Sequence, residues 1–195
     1  MKKLFMIFIF AFLPLVLFAA PFGLKMGMTI DEIKDICDGI RPQYYKRDIW
    51  FITPAKKHPL FETYGVFVDE KFGLYKLRVV TEEIETGSDG AELKKWFENA
   101  RKIIAKKYGE PDVYDINTNE EIDNAFFDNL RNGKIVPMAK WSKGNYLKEV
   151  NLERIELKII SDDRGYSSYR NIGAVVLNYY FTNAKSVEDE QDYVF

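Results

Sequence analysis

Cysteine and histidine each occur once in the 195 residues, as Cys37 and His58. One cysteine allows no internal disulfide. Two such side chains are too few for a zinc site. A serine or cysteine nucleophile would have to use His58, and no serine carries a supporting signature. His58 precedes Pro59 and reads as an exposed loop residue. Cys37 reads as a small buried hydrophobe on the apolar side of a short helix. Glycine is sparse where phosphate binding would need it. Gly23 and Gly27 are isolated, and Gly87 and Gly90 precede a helix without the strand and lysine of a phosphate loop. Asp112, Asp115 and Glu120 lack the spacing of a calcium loop. There is no excess of positive charge either: 28 Lys+Arg stand against 30 Asp+Glu, a net charge of −2. That balance argues against a nucleic-acid partner, whose readers carry a basic face. These absences leave the expectation of no catalytic residue, no metal and no cofactor.

What is present begins at the first residue. Met1-Lys2-Lys3 is a positive start, Leu4 to Phe18 an unbroken apolar run, and Ala19-Ala20 a small-residue close. This is the layout of a secretory signal peptide. The run is shorter than the roughly 20 residues a membrane span needs, so no stable span is expected after cleavage. No cysteine stands at the cut, so no lipid anchor is expected. The reading is an exported protein, periplasmic or secreted, with residues 1–20 removed.

The rest reads as two similar halves, 21–86 and 87–184, with an acidic tail at 185–195 expected to be mobile. In the first half, Thr29 and Glu32 have capping-box spacing. Ile30, Ile33 and Cys37 fall on one helical face, and Gly39 is a natural stop. Strands are expected at 48–53, 62–68 and 74–81, the last two forming a hairpin around 69–73. Tyr75, Leu77 and Val79 should share one face, with Lys76 and Arg78 on a wet one. The segment 85–90 reads as a linker. In the second half, Asp89 and Glu92 repeat the capping spacing. Leu93, Trp96, Phe97, Ala100, Ile104 and Tyr108 form a helical stripe over 90–108. A weaker helix is expected at 119–132. Strands follow at 136–142, with Pro137 marking an edge, at 152–160 and at 173–182. In the strand at 152–160, Ile155, Leu157 and Ile159 point in while Arg154, Glu156 and Lys158 point out. The strand at 173–182 is apolar enough to be central. The expected class is α+β: two helix-plus-antiparallel-sheet units, helices on one face of the sheet.

Phe22-Gly23-Leu24-Lys25-Met26-Gly27-Met28-Thr29 before a capped helix resembles the opening of small exported envelope proteins of the SmpA/BamE type. The duplicated plan resembles the β-lactamase inhibitory protein fold. Tyr108-Gly109-Glu110-Pro111, followed by a strand carrying Trp141, resembles a pattern of exported proteins. The resemblance implies a scaffold used for protein–protein contact, and it carries over no catalytic residue. The chain lacks the lipidated cysteine of the SmpA/BamE pattern and is longer.

Two loops combine tyrosine and arginine, the residue types that dominate interface hot spots. One carries Tyr44, Tyr45 and Arg47. The other carries Arg164, Tyr166, Tyr169 and Arg170. They are the candidate binding residues, and the expected partner is another envelope protein or a glycan. The main expectation is a non-catalytic interaction or envelope-maintenance module. A second is a small-ligand or glycan binder with a pocket between Trp96 and Phe97 on the helix and Tyr179 and Tyr180 on the strand. A third is an envelope polymer hydrolase using a carboxylate pair, for which Asp69-Glu70 and Asp162-Asp163 are among the neighbours that no pattern singles out.

Overall fold

The computed structural model describes residues 20–116, 124–161 and 170–192, without the side chains at 47, 191 and 192. The class is α+β. The elements are α1 (Ile30–Ile36), β1 (Cys37–Gln43), β2 (Lys46–Pro54), β3 (Thr63–Asp69), β4 (Gly73–Val80) and β5 (Ile84–Glu85). Then come α2 (Ala91–Tyr108), β6 (Val113–Asp115), α3 (Phe126–Arg131), β7 (Met138–Trp141), α4 (Asn145–Glu149), β8 (Leu152–Ser161), β9 (Ile172–Phe181) and α5 (Ala184–Asp192). The strands form one antiparallel sheet in the order β1-β2-β3-β4-β9-β8-β7-β6, with β5 also paired to β9. The apolar strand at 172–181 is therefore central, as its composition requires. Its pairing with β4 joins the two halves, and one buried cluster runs through both.

The local signals act where the backbone needs them. Thr29 Oγ1 accepts from the Glu32 N–H at 3.3 Å, and Glu32 accepts from the Thr29 N–H at 2.8 Å. Both bonds of the capping box are thus made. The helix does not run on to Gly39, however. It stops at Ile36, and Cys37 opens β1, where it is half-buried against the core. Glycine and proline make 37–43 a poor strand by propensity. Pairing with β2 supplies what propensity lacks, and Pro42 is tolerated because β1 is the edge.

The second capping box is not formed. Gly90, at φ +68°, is the N-cap of α2, and Glu92 instead accepts from the Thr86 hydroxyl at 2.7 Å. Leu93, Phe97, Ala100 and Ile104 are buried as the stripe requires. The expected linker is stitched to the sheet, since the Thr86 N–H donates to Asn171 at 2.9 Å. Of the helix expected at 119–132, α3 is the described part, and its Phe126 and Phe127 are buried. Trp141 fixes β7 to the end of α2 by donating from Nε1 to the Gly109 carbonyl at 2.7 Å.

The hairpin at 63–80 departs from simple alternation. Phe67 pairs with Lys76 and Val68 with Leu74, so Tyr75 is an extra residue in β4. Such a β-bulge turns the following side chains to the other face. Leu74 and Leu77 enter the main core, while Tyr75 joins a second cluster with Tyr180, Ala184 and Val187. Tyr75 and Leu77 therefore do not share a face. At the tip, Asp69 Oδ1 accepts from the Lys71 and Phe72 N–H groups at 2.8 and 2.9 Å, an Asx turn. Gly73 has φ +67°, and a Cβ there would lie 2.2 Å from the Gly27 carbonyl oxygen. This closeness lets Leu74 exchange backbone bonds with Gly27 and Met28, both at 2.9 Å.

The described part of the acidic tail lies in a helix, Ala184–Asp192. The Asn183 side-chain amide donates to the Phe72 and Leu74 carbonyls at 2.9 and 3.1 Å. Ala184 and Val187 are buried against Tyr75 and Tyr180. Tyr180 alternates with Tyr179 and Phe181, which belong to the main core. So α5 lies on the face opposite α2, and the helices are not confined to one face.

Candidate interaction face

The two sides of the sheet differ because side chains alternate along every strand. On one side lie Leu77, Val79, Tyr179, Leu177, Ile155 and Leu157, all buried under the helices. The other side is open apart from α5. Across it, register aligns Arg41, Phe51, Gly65, Arg78, Asn178, Glu156 and Lys140, from β1 to β7. The adjacent row aligns Phe67, Lys76, Tyr180 and Arg154.

Cations on this face lie over aromatic rings. The Arg41 guanidinium is 5.1 Å from the centre of the Phe51 ring, and that of Arg78 is 5.6 Å from Phe67. Lys76 Nζ sits between two rings, 4.7 Å from Phe67 and 4.8 Å from Tyr180. Arg154 stacks on the other side of this group, 3.7 Å from the Tyr180 centroid. Each ring face attracts the charge and holds a long side chain in place.

Counter-charges are unevenly distributed. Glu156 is occupied: Lys158 lies 2.8 Å and Arg154 3.1 Å from its oxygens. Burial raises the Glu156 carboxyl, but these two cations outweigh it and hold it below the usual range. Arg154 also reaches Glu188 of α5 at 3.4 Å. Arg41, Lys76 and Arg78 form no ion pair with a described carboxylate, although Glu156 and Glu188 are near enough to act on Lys76 electrostatically. Arg78 Nε instead donates to the buried Asn178 side chain at 2.9 Å. Burial, then the neighbouring Arg78, pushes the Lys76 amine down to about 8. The chain as a whole is mildly acidic, so this is a locally positive surface on a protein of opposite net sign.

Two hollows of about 380 Å³ each open beside these rows. Arg41, Phe51 and Thr53 line one, Val80, Ile160 and Ala174 line the other, and Glu62 and Thr63 belong to both.

The described residues of the two tyrosine loops stand at opposite ends of the sheet. Tyr44 and Tyr45 cap the β1–β2 turn, 92% and 88% exposed, with their rings edge-to-face at 5.1 Å. The register places this turn at the end of the sheet shared with the β3–β4 turn. Arg170 stands just before β9, at the opposite end, and pairs with Glu85 of β5. Arg164, Tyr166 and Tyr169 lie outside the described residues, as does the pair Asp162-Asp163, and the Arg47 side chain is not described.

The expected ligand pocket is not there. Phe97 and Tyr179 are core, Trp96 packs against that core, and Tyr180 points to the opposite face. His58 is half-buried rather than exposed. Its Nδ1 accepts from the Leu60 N–H at 3.2 Å, and its own N–H donates to the Tyr64 hydroxyl at 2.8 Å. Burial lowers its pKa, and its ring and backbone serve as a loop clip. Burial likewise raises the Cys37 thiol, which stays protonated. Among the described residues, no three of His, Cys, Asp and Glu come together as a metal site would need. No described helix is long and apolar enough to cross a membrane.

Sequence alternation in β4 and β8 already put Lys76, Arg78, Arg154 and Lys158 on wet faces. It could not show that one central strand would bring them side by side, or that Arg41 would join them from an unrecognised strand. No family model, no curated protein and no solved structure matches this chain.

Proposed function

We propose that this chain is an exported, non-catalytic binding module that engages another envelope component through the open face of its sheet. The observation that carries this reading is the cation–aromatic array of Arg41, Lys76 and Arg78, none of which forms an ion pair with a described carboxylate. Interfaces are enriched in arginine and aromatic residues, and a side chain already held on a ring loses less freedom on binding. Tyr44 and Tyr45 extend the same chemistry to the end of the sheet. Export rests on the leader-like first twenty residues.

The test is site-specific photocrosslinking in the native cell. A crosslinking residue in place of Thr63, which is exposed on the open face, should capture a partner. The same residue in place of Lys102, exposed on α2, should not. Equal capture from both positions, or capture from position 102 alone, overturns the assignment of the face. A leader still attached to the protein in its final compartment overturns the export reading.

A further inference from the structure

We infer that the open face takes an acidic polypeptide segment with interspersed aliphatic residues, laid over Arg78 and Arg41 beside α5. The inference rests on the reading of this face as the binding surface and adds the chemistry of its partner.

The chain supplies its own example of that chemistry. Helix α5 reads Ala-Lys-Ser-Val-Glu-Asp-Glu-Gln-Asp from residue 184. Ala184 and Val187 fill a cluster with Tyr75 and Tyr180, against which Phe67 and Phe72 pack. Glu188 reaches Arg154 at 3.4 Å, and Glu190 reaches Lys71 at 2.6 Å. One end of the face is thus occupied by small aliphatic side chains on the rings and carboxylates on the cations. The pattern of rings and cations continues past α5, through Phe67, Arg78, Phe51 and Arg41; Glu62 borders it at the hollow beside Arg41, but no described carboxylate forms an ion pair with Arg41 or Arg78. The hollow beside Arg41 and Phe51, lined by Thr53, Glu62 and Thr63, has about 380 Å³, room for the aliphatic side chains of a bound segment whose carboxylates lie over Arg78 and Arg41. Complementary charge of this kind steers encounter and fixes register. The lowered pKa of Lys76 agrees with a crowded positive site that gains from an added anion. The cations are spread over two rows of the sheet and rest on ring faces, Lys76 sharing Phe67 with Arg78 and Tyr180 with Arg154.

The experiment is fluorescence anisotropy of the full-length mature protein with a short labelled peptide of alternating glutamate and leucine. An equal-length lysine–leucine peptide is the control. The acidic peptide should bind and the basic one should not. Arg78→Glu should weaken binding roughly tenfold or more, the scale expected when a like charge is set against a complementary one. Arg41→Glu, on the edge strand, should also weaken it and serves if Arg78→Glu fails to fold. Lys102→Glu, on α2, should bind as the parent does. Absence of binding to the acidic peptide overturns the inference, as does binding unchanged in both Arg78→Glu and Arg41→Glu. So does Arg78-dependent binding to phosphatidylglycerol vesicles or to a sulfated glycan in place of the peptide. Cellular capture from position 63 without peptide binding would keep the face as the binding surface and remove only its acidic-peptide partner.

Discussion

Leu77 and Arg78 are neighbours in β4, yet they answer to different physics. Leu77 is fully buried against Tyr179 on the core side. Arg78 is exposed on the other side and rests on Asn178 and the Phe67 ring. The core side is a space-filling problem, where each methylene removed leaves a void. The open side is a set of long cations leaning on rings, where Arg41 and Arg78 remain exposed while Asn178, Glu156 and Tyr180 are buried. A sheet with one sealed face and one presented face can lose side chains from the second without losing its fold. That asymmetry is what a binding surface requires.

The sharpest test of the contrast is Leu77→Ala. It should cost about 2–5 kcal/mol, the range for truncating a buried leucine, read from denaturant midpoints. A loss under about 1 kcal/mol would mean the main core is not packed as described. Next in size is Val187→Asp, which places a charge among Tyr75, Tyr180 and Ala184. Burying an unpaired charge is strongly unfavourable, so α5 should undock. Hydrogen exchange should then rise over 184–192 while the β8 and β9 amides stay protected; a global rise would make α5 part of the main cooperative unit.

Lys76→Met probes the cost of crowding the open face. Burial and Arg78 lower the Lys76 pKa from 10.5 to about 8, and Arg154 adds to that; Glu156 and Glu188 oppose it. Between these values the unfolded chain holds a proton that the folded chain has released, so stability rises with pH. The penalty is full below about 8 and fades above it. The difference in unfolding free energy between parent and Lys76→Met should shift in the parent's favour as pH rises from about 8 toward the tyrosine range. A flat difference would mean the amine is well solvated. Smallest is Arg78→Ala, which should change stability by about 1 kcal/mol or less, as exposed cations on rings contribute little. A larger loss would move Arg78 from the presented face into the structural account.

The legible parts of this fold were those with short-range causes. Thr29 and Glu32 satisfy backbone groups three residues apart, so the box can be read directly. The stripe on α2 and the alternation of β8 depend only on the period of their element. The open face was half-legible: the cations of β4 and β8 were seen as wet, but not as neighbours. Composition marks both tyrosine loops as candidates and says nothing of their separation, whereas the sheet places Tyr44 and Arg170 at opposite ends. Acidic composition made α5 look like a free tail, because nothing local reveals that Ala184 and Val187 have a ring cluster waiting for them.

The sequence by itself determined the capping box at Thr29, the apolar central strand, the β3–β4 hairpin and the class, since each follows from bonds or periods within one segment. Only the tertiary structure decided the rest. It made a strand of Cys37–Gln43 by pairing it with β2. It turned Tyr75 away from Leu77 with a single extra residue. It placed β9 between β4 and β8, setting Arg78, Asn178 and Glu156 in one row. The physical reason is the same each time: register between distant strands is settled by the side chains that must share one core, and the face left outside that core inherits whatever the register aligns.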